Sequence, residues 1–428
     1  MHHHELLETL RKAFPQPVSD PVHDGYVVFS ILRALDQVDA LKSQAPILGV
    51  PTEPRFERAR REKIDQQGRT LEAVIPELVS YLQGMFIWGH PRSQINVVPN
   101  PSLASVIGVL LPLLYNPNLC SEESARLFSE AEVRAASMAA DLVGYDPLLS
   151  GGLFTFGGTG TLLYGAKVGL EKAVPGAGHK GPRDHAVIVA SGQSHYSCLN
   201  VANWLGIGDD NVVLVPTDLD NSIQLPALEE ALRQALAAGR KIAAIVATMG
   251  TTDAFGIDDL AAIDQLRRRL AEEHSLGYLP HLHADAVIGW AWSAFNDYDF
   301  EENPLAFRGR TVRALAAAQH DIRHLRLADS LGIDFHKTGY TPYNSSLVLF
   351  SDAADFNLIA RRRETMPYLF QSGEHHPGMY TLETTRSGIG AMAALANMLL
   401  LGKEGFRTLL GHAVEMAEVL RERIESHP

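Results

Sequence analysis

The sequence predicts an α/β fold built on a mostly parallel sheet with helices on both faces. From residue 151 onward, short apolar runs alternate with stretches whose apolar residues recur at helical spacing, such as 225–238 and 258–275. Near-continuous apolar strands between helices are typical of parallel sheets that are buried on both faces. The predicted strands are residues 186–190, 212–215, 242–247, 282–285, 325–328 and 347–350.

The length of the chain indicates more than one structural part. A chain of 428 residues is about three times the size of a typical domain. We predict an N-terminal helical entrance segment over residues 1–100, a large α/β domain over 101–385, and the helical start of a C-terminal small domain over 386–428. The sheet, and with it the candidate chemistry, falls in the large domain.

Composition and charge exclude several classes of protein. Hydrophobic residues make up 46% and charged residues 20%, which excludes a disordered chain. The net charge of -13 disfavours nucleic acid and anionic membrane surfaces as partners. The longest apolar stretches, 103–115 and 388–402, fall short of the roughly 20 residues that span a bilayer. With two cysteines, Cys120 and Cys198, the sequence predicts a cytoplasmic protein without a disulfide framework.

Two passages in the sheet region offer groups for an anion and for a flat ring. Residues 156–161 (Phe-Gly-Gly-Thr-Gly-Thr) precede a predicted helix, and glycine N–H groups with threonine hydroxyls at a helix start suit a phosphate. The passage is neither a dinucleotide fingerprint nor a P-loop, and alone it is equally typical of a plain turn. His195 follows the strand 186–190, a position that suits a cap, a core residue or a stacking group.

Two further passages carry a carboxylate and an amine. Asp285 closes the apolar strand 282–285, where a buried carboxylate needs a cation or hydrogen-bond donors. A protonated ring nitrogen, a metal ion or a capping role at the next helix would each satisfy it. We predict no metal: His283 and Asp285 lie two apart on the strand and would point the same way, but no third ligand is evident. Lys337 precedes the strand 347–350, and a partly buried lysine amine can attack a carbonyl group.

Together these four features predict a binding site for pyridoxal phosphate. The phosphate needs glycine and threonine donors, the ring face needs a flat partner, the ring nitrogen needs a carboxylate, and the aldehyde needs a lysine. Ligands of open α/β sheets bind at the carboxyl ends of the strands. We therefore expect the four features to converge at that edge.

At these residues the sequence resembles the group II pyridoxal phosphate-dependent amino-acid decarboxylases, over residues 70–425. The most specific matches are residues 283–286 (His-Ala-Asp-Ala), 328–330 (Ala-Asp-Ser) and 334–337 (Asp-Phe-His-Lys). Residues 336–343 look most like bacterial tyrosine-decarboxylase-type members. The resemblance implies a fold-type I enzyme with a seven-stranded sheet, and a homodimer whose site lies at the subunit interface.

The resemblance also implies a role for each matched position at the cofactor. Lys337 would bind the aldehyde covalently, Asp285 would pair with the pyridine nitrogen, and His195 would stack on the ring. The other implied contacts are Gly158 and Thr159 at the phosphate with His336 and Ser330 as helpers, Thr248 near Asp285, and Val287 against the ring face.

For the substrate, the resemblance implies a less specific set of residues. Family members use a tyrosine on a loop beyond the lysine as a proton donor, and Tyr368 is the candidate for that catalytic role. Arg386 matches an arginine that follows the large domain, and Gln94 and Asn96 would form a polar wall where aromatic-acid members have aromatic residues. The polar wall and the tyrosine-type match favour different substrates, so the sequence leaves the amino acid open.

The expected reaction is decarboxylation of an L-amino acid to its amine and carbon dioxide, through an external aldimine and a quinonoid. Two alternatives stay open. One is another fold-type I reaction of the same cofactor, by a carbon–carbon lyase, an aminotransferase or a desulfurase. The other is a homologue without catalysis, because Val287 stands where many members have alanine and the chain stops where members continue into a small C-terminal domain.

Overall fold

A seven-stranded sheet forms the centre of the larger of two units in the computed structural model. The structure describes residues 3–11, 13–94, 97–182, 185–366 and 372–427. Its two units are residues 1–95 and residues 96–428. Among the described helices none is long and apolar enough to cross a bilayer. The domain boundaries at residues 100 and 385 stay predictions.

The first unit is helical. The hydroxyl of Tyr26 donates to Glu72 over 2.8 Å and thereby joins two of its helices. A short antiparallel bridge pairs Ile47 with Phe86. The helices are α1 (His3–Arg11), α2 (Pro21–Asp39), α3 (Phe56–Ala59) and α4 (Leu71–Ser80).

The second unit alternates strands and helices. Its helices are α5 (Leu103–Tyr115), α6 (Glu122–Ala125), α7 (Leu127–Val143), α8 (Gly158–Ala173), α9 (Ala177–Lys180), α10 (Ser197–Trp204), α11 (Leu225–Ala237), α12 (Leu260–Glu273), α13 (Gly309–Ile322) and α14 (Ile389–Glu425). Its strands are β1 (Gly151–Thr155), β2 (Ala186–Ser191), β3 (Val212–Val215), β4 (Lys241–Thr248), β5 (His281–Asp285), β6 (Ser330–Asp334) and β7 (Ser346–Phe350).

The sheet confirms the predicted architecture. The strand order is β1-β7-β6-β5-β4-β2-β3. Strands β2 to β6 run parallel to their neighbours among themselves, and β7 runs antiparallel to both β1 and β6. The prediction of a mostly parallel seven-stranded sheet is therefore correct, and five of the six predicted strands lie in it.

The sixth predicted strand, residues 325–328, is wrong. Residues Arg323–Leu327 form a 3₁₀-helix, and the strand β6 begins only at Ser330. The apolar pattern missed β6 because its alternate residues are Ser330, Gly332 and Asp334, whose small or polar side chains break the run. All of its residues are nevertheless buried.

Helix α8 explains why the side chains on one face of β5 and β6 are polar or small. Its glycines let the helix backbone lie directly on the sheet. A Cβ at Gly165 would collide with the ring of His283, and one at Gly169 would collide with the carbonyl oxygen of Ala243. This close packing brings the first turn of α8, beginning at Gly158, to the carboxyl end of β6.

A buried polar network lies between α8, β5 and β6. The hydroxyl of Ser330 is 2.8 Å from His281 Nε2 and 2.8 Å from His283 Nδ1. Asp329 Oδ2 accepts the backbone N–H of Leu282 over 2.8 Å and also pairs with the fully buried guanidinium of Arg267. The rings of both histidines are fully buried, and burial lowers the pKa of each to about 3.

We predict that Gly169→Ala lowers the free energy of unfolding by about 2–3 kcal/mol, because the added methyl group must push α8 away from β4. Urea unfolding followed by circular dichroism measures the change. Gly25→Ala is the matched control, since Gly25 also lies within a helix but has open space around its Cβ position. A Gly169→Ala chain as stable as the control would contradict the close packing of α8.

A second prediction concerns acid. Below pH 6.5 the unfolded chain protonates His281 and His283, whereas the folded chain keeps both neutral down to about pH 3. The unfolded state then binds more protons, so the free energy of unfolding falls with pH by up to about 1.4 kcal/mol per pH unit for each histidine. Urea titrations at several pH values between 7.5 and 5 measure this slope.

His281→Asn should reduce that slope by the contribution of one histidine, up to about 1.4 kcal/mol per pH unit. The control His320→Asn, which removes an exposed histidine, should leave it unchanged. A wild-type chain whose stability is constant over this pH range would contradict the neutral, buried state of the two rings.

Candidate active site

The carboxyl ends of the parallel strands bring the candidate residues to one edge of the sheet. Strand β4 ends at Thr248, β5 at Asp285 and β6 at Asp334. Thr248 and Asp285 are direct partners in the parallel register of β4 and β5. Asp285 is paired with Gly332, so Asp334 lies two residues further along the neighbouring strand.

Lys337 reaches this edge from the turn that follows β6. Its Nζ lies 3.0 Å from Oδ2 of Asp334, and the lysine side chain is 18% exposed whereas the Asp334 side chain is 2% exposed. The hydroxyl of Ser346, on β7, donates to the other oxygen of Asp334 over 2.5 Å. The lysine amine is therefore held against a buried carboxylate whose orientation is fixed from the opposite side.

Asp285 is the second carboxylate of this cluster. Burial raises its pKa above the usual range, and the positive charge of Lys337 opposes that rise. Asp334 raises the pKa of Asp285 further, and His195 lowers it. The positive charge of Lys337 thus acts on two buried carboxylates, Asp285 and Asp334. Two carboxylates beside one lysine leave negative charge for a further positively charged atom of a ligand.

Helix α8 begins above these side chains. A Cβ on Gly158 would make two tight contacts, 3.0 Å to Oδ2 of Asp334 and 3.1 Å to Cγ1 of Val287, so glycine eases this approach. The preceding Gly157 has a φ of 126°, a conformation that other residues rarely adopt. The first N–H groups of a helix, here those of Gly158 and Thr159, have no partner within the helix and attract anions.

The loop after β2 and the end of β4 meet through hydroxyl groups. Ser194 Oγ lies 2.8 Å from Thr248 Oγ1, which places the loop carrying His195 beside β4. The ring of His195 is half-buried, with Nδ1 2.9 Å from the hydroxyl of Ser197. Asp258 accepts the backbone N–H of Thr248 over 2.7 Å, and burial raises the pKa of Asp258 to about 6.

His336 lies in the same turn as Lys337 but faces the protein interior. Its Nε2 is 3.5 Å from Oδ2 of Asp334, and its ring packs against Tyr343 with 4.4 Å between the ring centres. Burial lowers the pKa of this ring, and Asp334 opposes the shift. The structure therefore places His336 beside Asp334, close to the carboxylate oxygen that the lysine amine contacts.

Two residues predicted for the site lie apart from this cluster. Ser330 is at the opposite end of β6, where its hydroxyl is fully buried between His281 and His283. Arg386 is buried and forms a two-pronged ion pair with Glu132, one nitrogen lying 3.1 Å from Oε2. Both side chains have structural partners, so the geometry does not bring them to the cofactor or the substrate.

Three substrate-related predictions are not placed at the site by the structure. Tyr368 and Asn96 lie outside the described residues. Gln94 belongs to the first unit, where its side chain is exposed.

Sequence reasoning assigned no role to Asp334 or Ser194. Asp334 had one usable signal, since a carboxylate three residues before a candidate lysine, at a strand end, can reach its amine. Ser194 offered no signal, because its contact with Thr248 joins two loops that are 54 residues apart.

The described residues fit pyridoxal phosphate. The cluster supplies an amine in Lys337, a carboxylate without a dedicated cation in Asp285, an imidazole in His195 and a helix N-terminus at Gly158 and Thr159. Each matches one part of the cofactor: its aldehyde, its ring nitrogen, its ring face and its phosphate.

Comparison with curated proteins shows decarboxylase relatives. The aspartate 1-decarboxylase of Aliivibrio fischeri is 31% identical over 238 residues, which cover 56% of this chain and 38% of that protein. The L-tyrosine decarboxylase of Enterococcus faecium is 30% identical over 247 residues, covering 54% and 39%. The L-2,4-diaminobutyrate decarboxylase of Rhizobium meliloti is 24% identical over 403 residues, covering 93% and 74%. The matches to the first two relatives span about two fifths of their lengths.

Solved structures share the fold. Mouse CSAD in its apo form has a TM-score of 0.78 at 20% identity, over 95% of this chain and 80% of that one. Oryza sativa TDC with PLP and tryptamine has a TM-score of 0.77 at 17% identity, over 96% and 81%. A family model described as the pyridoxal-dependent decarboxylase conserved domain matches residues 54–428. The chain therefore belongs to the pyridoxal-dependent decarboxylase family, whose cofactor is pyridoxal phosphate.

Proposed function

We propose that this chain is a pyridoxal phosphate-dependent carboxy-lyase that converts an L-amino acid to its amine and carbon dioxide. The observation that carries the proposal is the cluster at the carboxyl edge of the sheet. There the amine of Lys337 contacts Asp334, and its positive charge also acts on Asp285. Family membership supports the reaction class. The relatives are decarboxylases of aspartate, tyrosine and diaminobutyrate, so they do not favour one substrate.

Each residue of the cluster has a separate task in this proposal. When bound, pyridoxal phosphate supplies a ring that accepts the electron pair of the bond broken at the substrate Cα. Lys337 would bind its aldehyde. Asp285 favours a proton on the ring nitrogen, because a buried carboxylate is stabilised by an adjacent positive charge.

The remaining residues bind and orient. The N–H groups of Gly158 and Thr159 bind the phosphate at the start of α8. His195 would stack on the ring and Val287 would lie against a ring face, and Thr248 holds the loop of His195 in place through Ser194. His336 supports Asp334 from the interior. Tyr368 stays the proposed proton donor. Gln94 and Asn96 stay proposed contacts of the substrate.

The Arg386 side chain, the predicted substrate contact, is bound to other groups of this chain in the structure. The guanidinium lies 2.8 Å from the carbonyl oxygen of Leu119, 2.9 Å from that of Phe154 and 3.1 Å from Oε2 of Glu132. Another fold-type I reaction stays the alternative function.

The proposal includes a cytoplasmic homodimer with its site at the subunit interface. Two observations support it. Both cysteines, Cys120 and Cys198, are free and buried, which fits a reducing compartment. Helix α5 exposes several large apolar side chains that a second copy could cover, namely Leu103, Ile107, Leu111 and Leu113. A monomeric sedimentation profile would contradict the dimer.

We predict that Lys337→Ala abolishes the visible absorbance band that the chain acquires with pyridoxal phosphate, because no other amine of the cluster replaces the lysine. The control is Lys172→Ala. Lys172 is also partly buried and pairs with a carboxylate, Asp355, over 2.6 Å. The control chain should keep the band, and an unchanged band in Lys337→Ala would remove Lys337 from the site.

The substrate is tested by incubating the loaded chain with each common L-amino acid and trapping carbon dioxide. Release of carbon dioxide and the matching amine from one amino acid supports the proposal. Transfer of the amino group to a keto acid without carbon dioxide release would favour the alternative fold-type I reaction.

A further inference from the structure

We infer that Asp334 is a positioning residue for Lys337: it fixes the amine at the cofactor and keeps a proton on that nitrogen. The inference rests on the proposed function, since it concerns the lysine that binds the cofactor. It goes further than the proposed function because it gives the site a second carboxylate, distinct from Asp285, that acts on the lysine nitrogen.

The first support is the geometry of Asp334 itself. Its Oδ2 contacts Lys337 Nζ at 3.0 Å, while its Oδ1 accepts the hydroxyl hydrogen of Ser346 at 2.5 Å. Asp334 and Ser346 are cross-strand partners in the register of β6 and β7. The sheet register and Ser346 therefore fix the carboxylate, and Oδ2 is the oxygen in contact with the amine, with His336 Nε2 3.5 Å away from it.

The second support is the cost of burying this carboxylate. Asp334 is 1% exposed, and an isolated buried carboxylate is strongly disfavoured unless a cation pairs with it. Helix α8 adds to the burial, because Gly158 passes so close that a Cβ there would lie only 3.0 Å from Oδ2. A carboxylate enclosed in this way and aimed at Lys337 stabilises positive charge on the lysine nitrogen more strongly than one in water.

The third support is the division of work between the two carboxylates. Asp334 contacts the lysine directly. Asp285 ends the neighbouring strand β5, and the positive charge of Lys337 lowers its pKa. Once the ring nitrogen of the cofactor is paired with Asp285, Asp334 is the carboxylate that remains for the lysine nitrogen. The site thus provides one negative group for each of the two nitrogens that carry protons.

The pH behaviour of the lysine nitrogen depends on all titratable groups that face it. Among the described residues, Asp334 contacts the amine, His336 lies against Asp334, and Asp285 on β5 feels the charges of both Lys337 and His195. Helix α8 contributes the uncharged Gly158 at this point, and β7 contributes Ser346. Asp334 is the negative group in direct contact with the amine.

The test uses the full chain and the variant Asp334→Asn, which keeps the size of the side chain and removes its charge. In the chain loaded with pyridoxal phosphate, the visible absorbance changes with pH as the lysine nitrogen loses its proton. We expect the midpoint of that change to fall by about one to two pH units in Asp334→Asn, because an adjacent opposite charge has been removed. Asp334→Glu, which keeps the charge, should restore most of the wild-type midpoint.

A second readout needs no cofactor. In the cofactor-free chain, acetic anhydride at fixed pH acetylates amines that have lost their proton, and peptide mass spectrometry measures Lys337 against Lys172. We expect the rate at Lys337 to rise about tenfold in Asp334→Asn, as one pH unit corresponds to a factor of ten. Asp355→Asn, which removes the carboxylate from the Lys172 pair, is the matched control and should leave the rate at Lys337 unchanged.

Equal midpoints and equal Lys337 acetylation rates in wild type and Asp334→Asn would overturn the inference. A wild-type chain that binds no pyridoxal phosphate would instead overturn the proposed function, and the acetylation rates would still decide the role of Asp334. Asp334→Ser is a second neutral variant if Asp334→Asn does not fold. Failure of both neutral variants to fold would overturn the inference, because the carboxylate would then serve the fold.

Discussion

The site depends on one lysine ammonium set among buried carboxylates. Asp334 and Asp285 are both removed from water, and neither could stay ionised there at low cost without a cation nearby. Lys337 is that cation, in contact with Asp334 and within the electrostatic reach of Asp285. The charge balance of the site therefore changes when a cofactor engages the lysine, which links cofactor binding to protonation.

The rest of the fold can be understood as the support of this cluster. Parallel strands place Asp285 and Asp334 on neighbouring strand ends, and the antiparallel strand β7 adds the hydroxyl of Ser346. Helix α8 can cover them because glycines replace side chains where it meets the sheet. The same helix presents its N-terminus to the site, so one element supplies both enclosure and an anion-binding end.

How much of this the sequence could predict differs between residues for physical reasons. Strands such as β2 and β4 are continuous apolar runs, and Asp285 stands out as a carboxylate at the end of strand β5. Strand β6 was missed because the residues facing α8 are small or polar, which hides the alternation. The partner of Arg386 could not be predicted, since Glu132 is 254 residues away in the chain and no local pattern links the two.

The same reasoning explains which of the predicted site residues the structure brings together. Lys337, Asp285 and Gly158 follow from local chemistry at strand or helix ends, and the structure brings them together. Ser330 was expected at the phosphate from its place in the sequence, but the two histidines of β5 bind its hydroxyl in the interior.

The most direct test of the central claim is to load the chain with pyridoxal phosphate, reduce it with borohydride and map the modified residue by peptide mass spectrometry. Borohydride fixes the cofactor to whichever amine has bound its aldehyde. The account predicts that the phosphopyridoxyl group is found on Lys337. Its absence from Lys337, or its location on another lysine such as Lys167 or Lys172, would contradict the account.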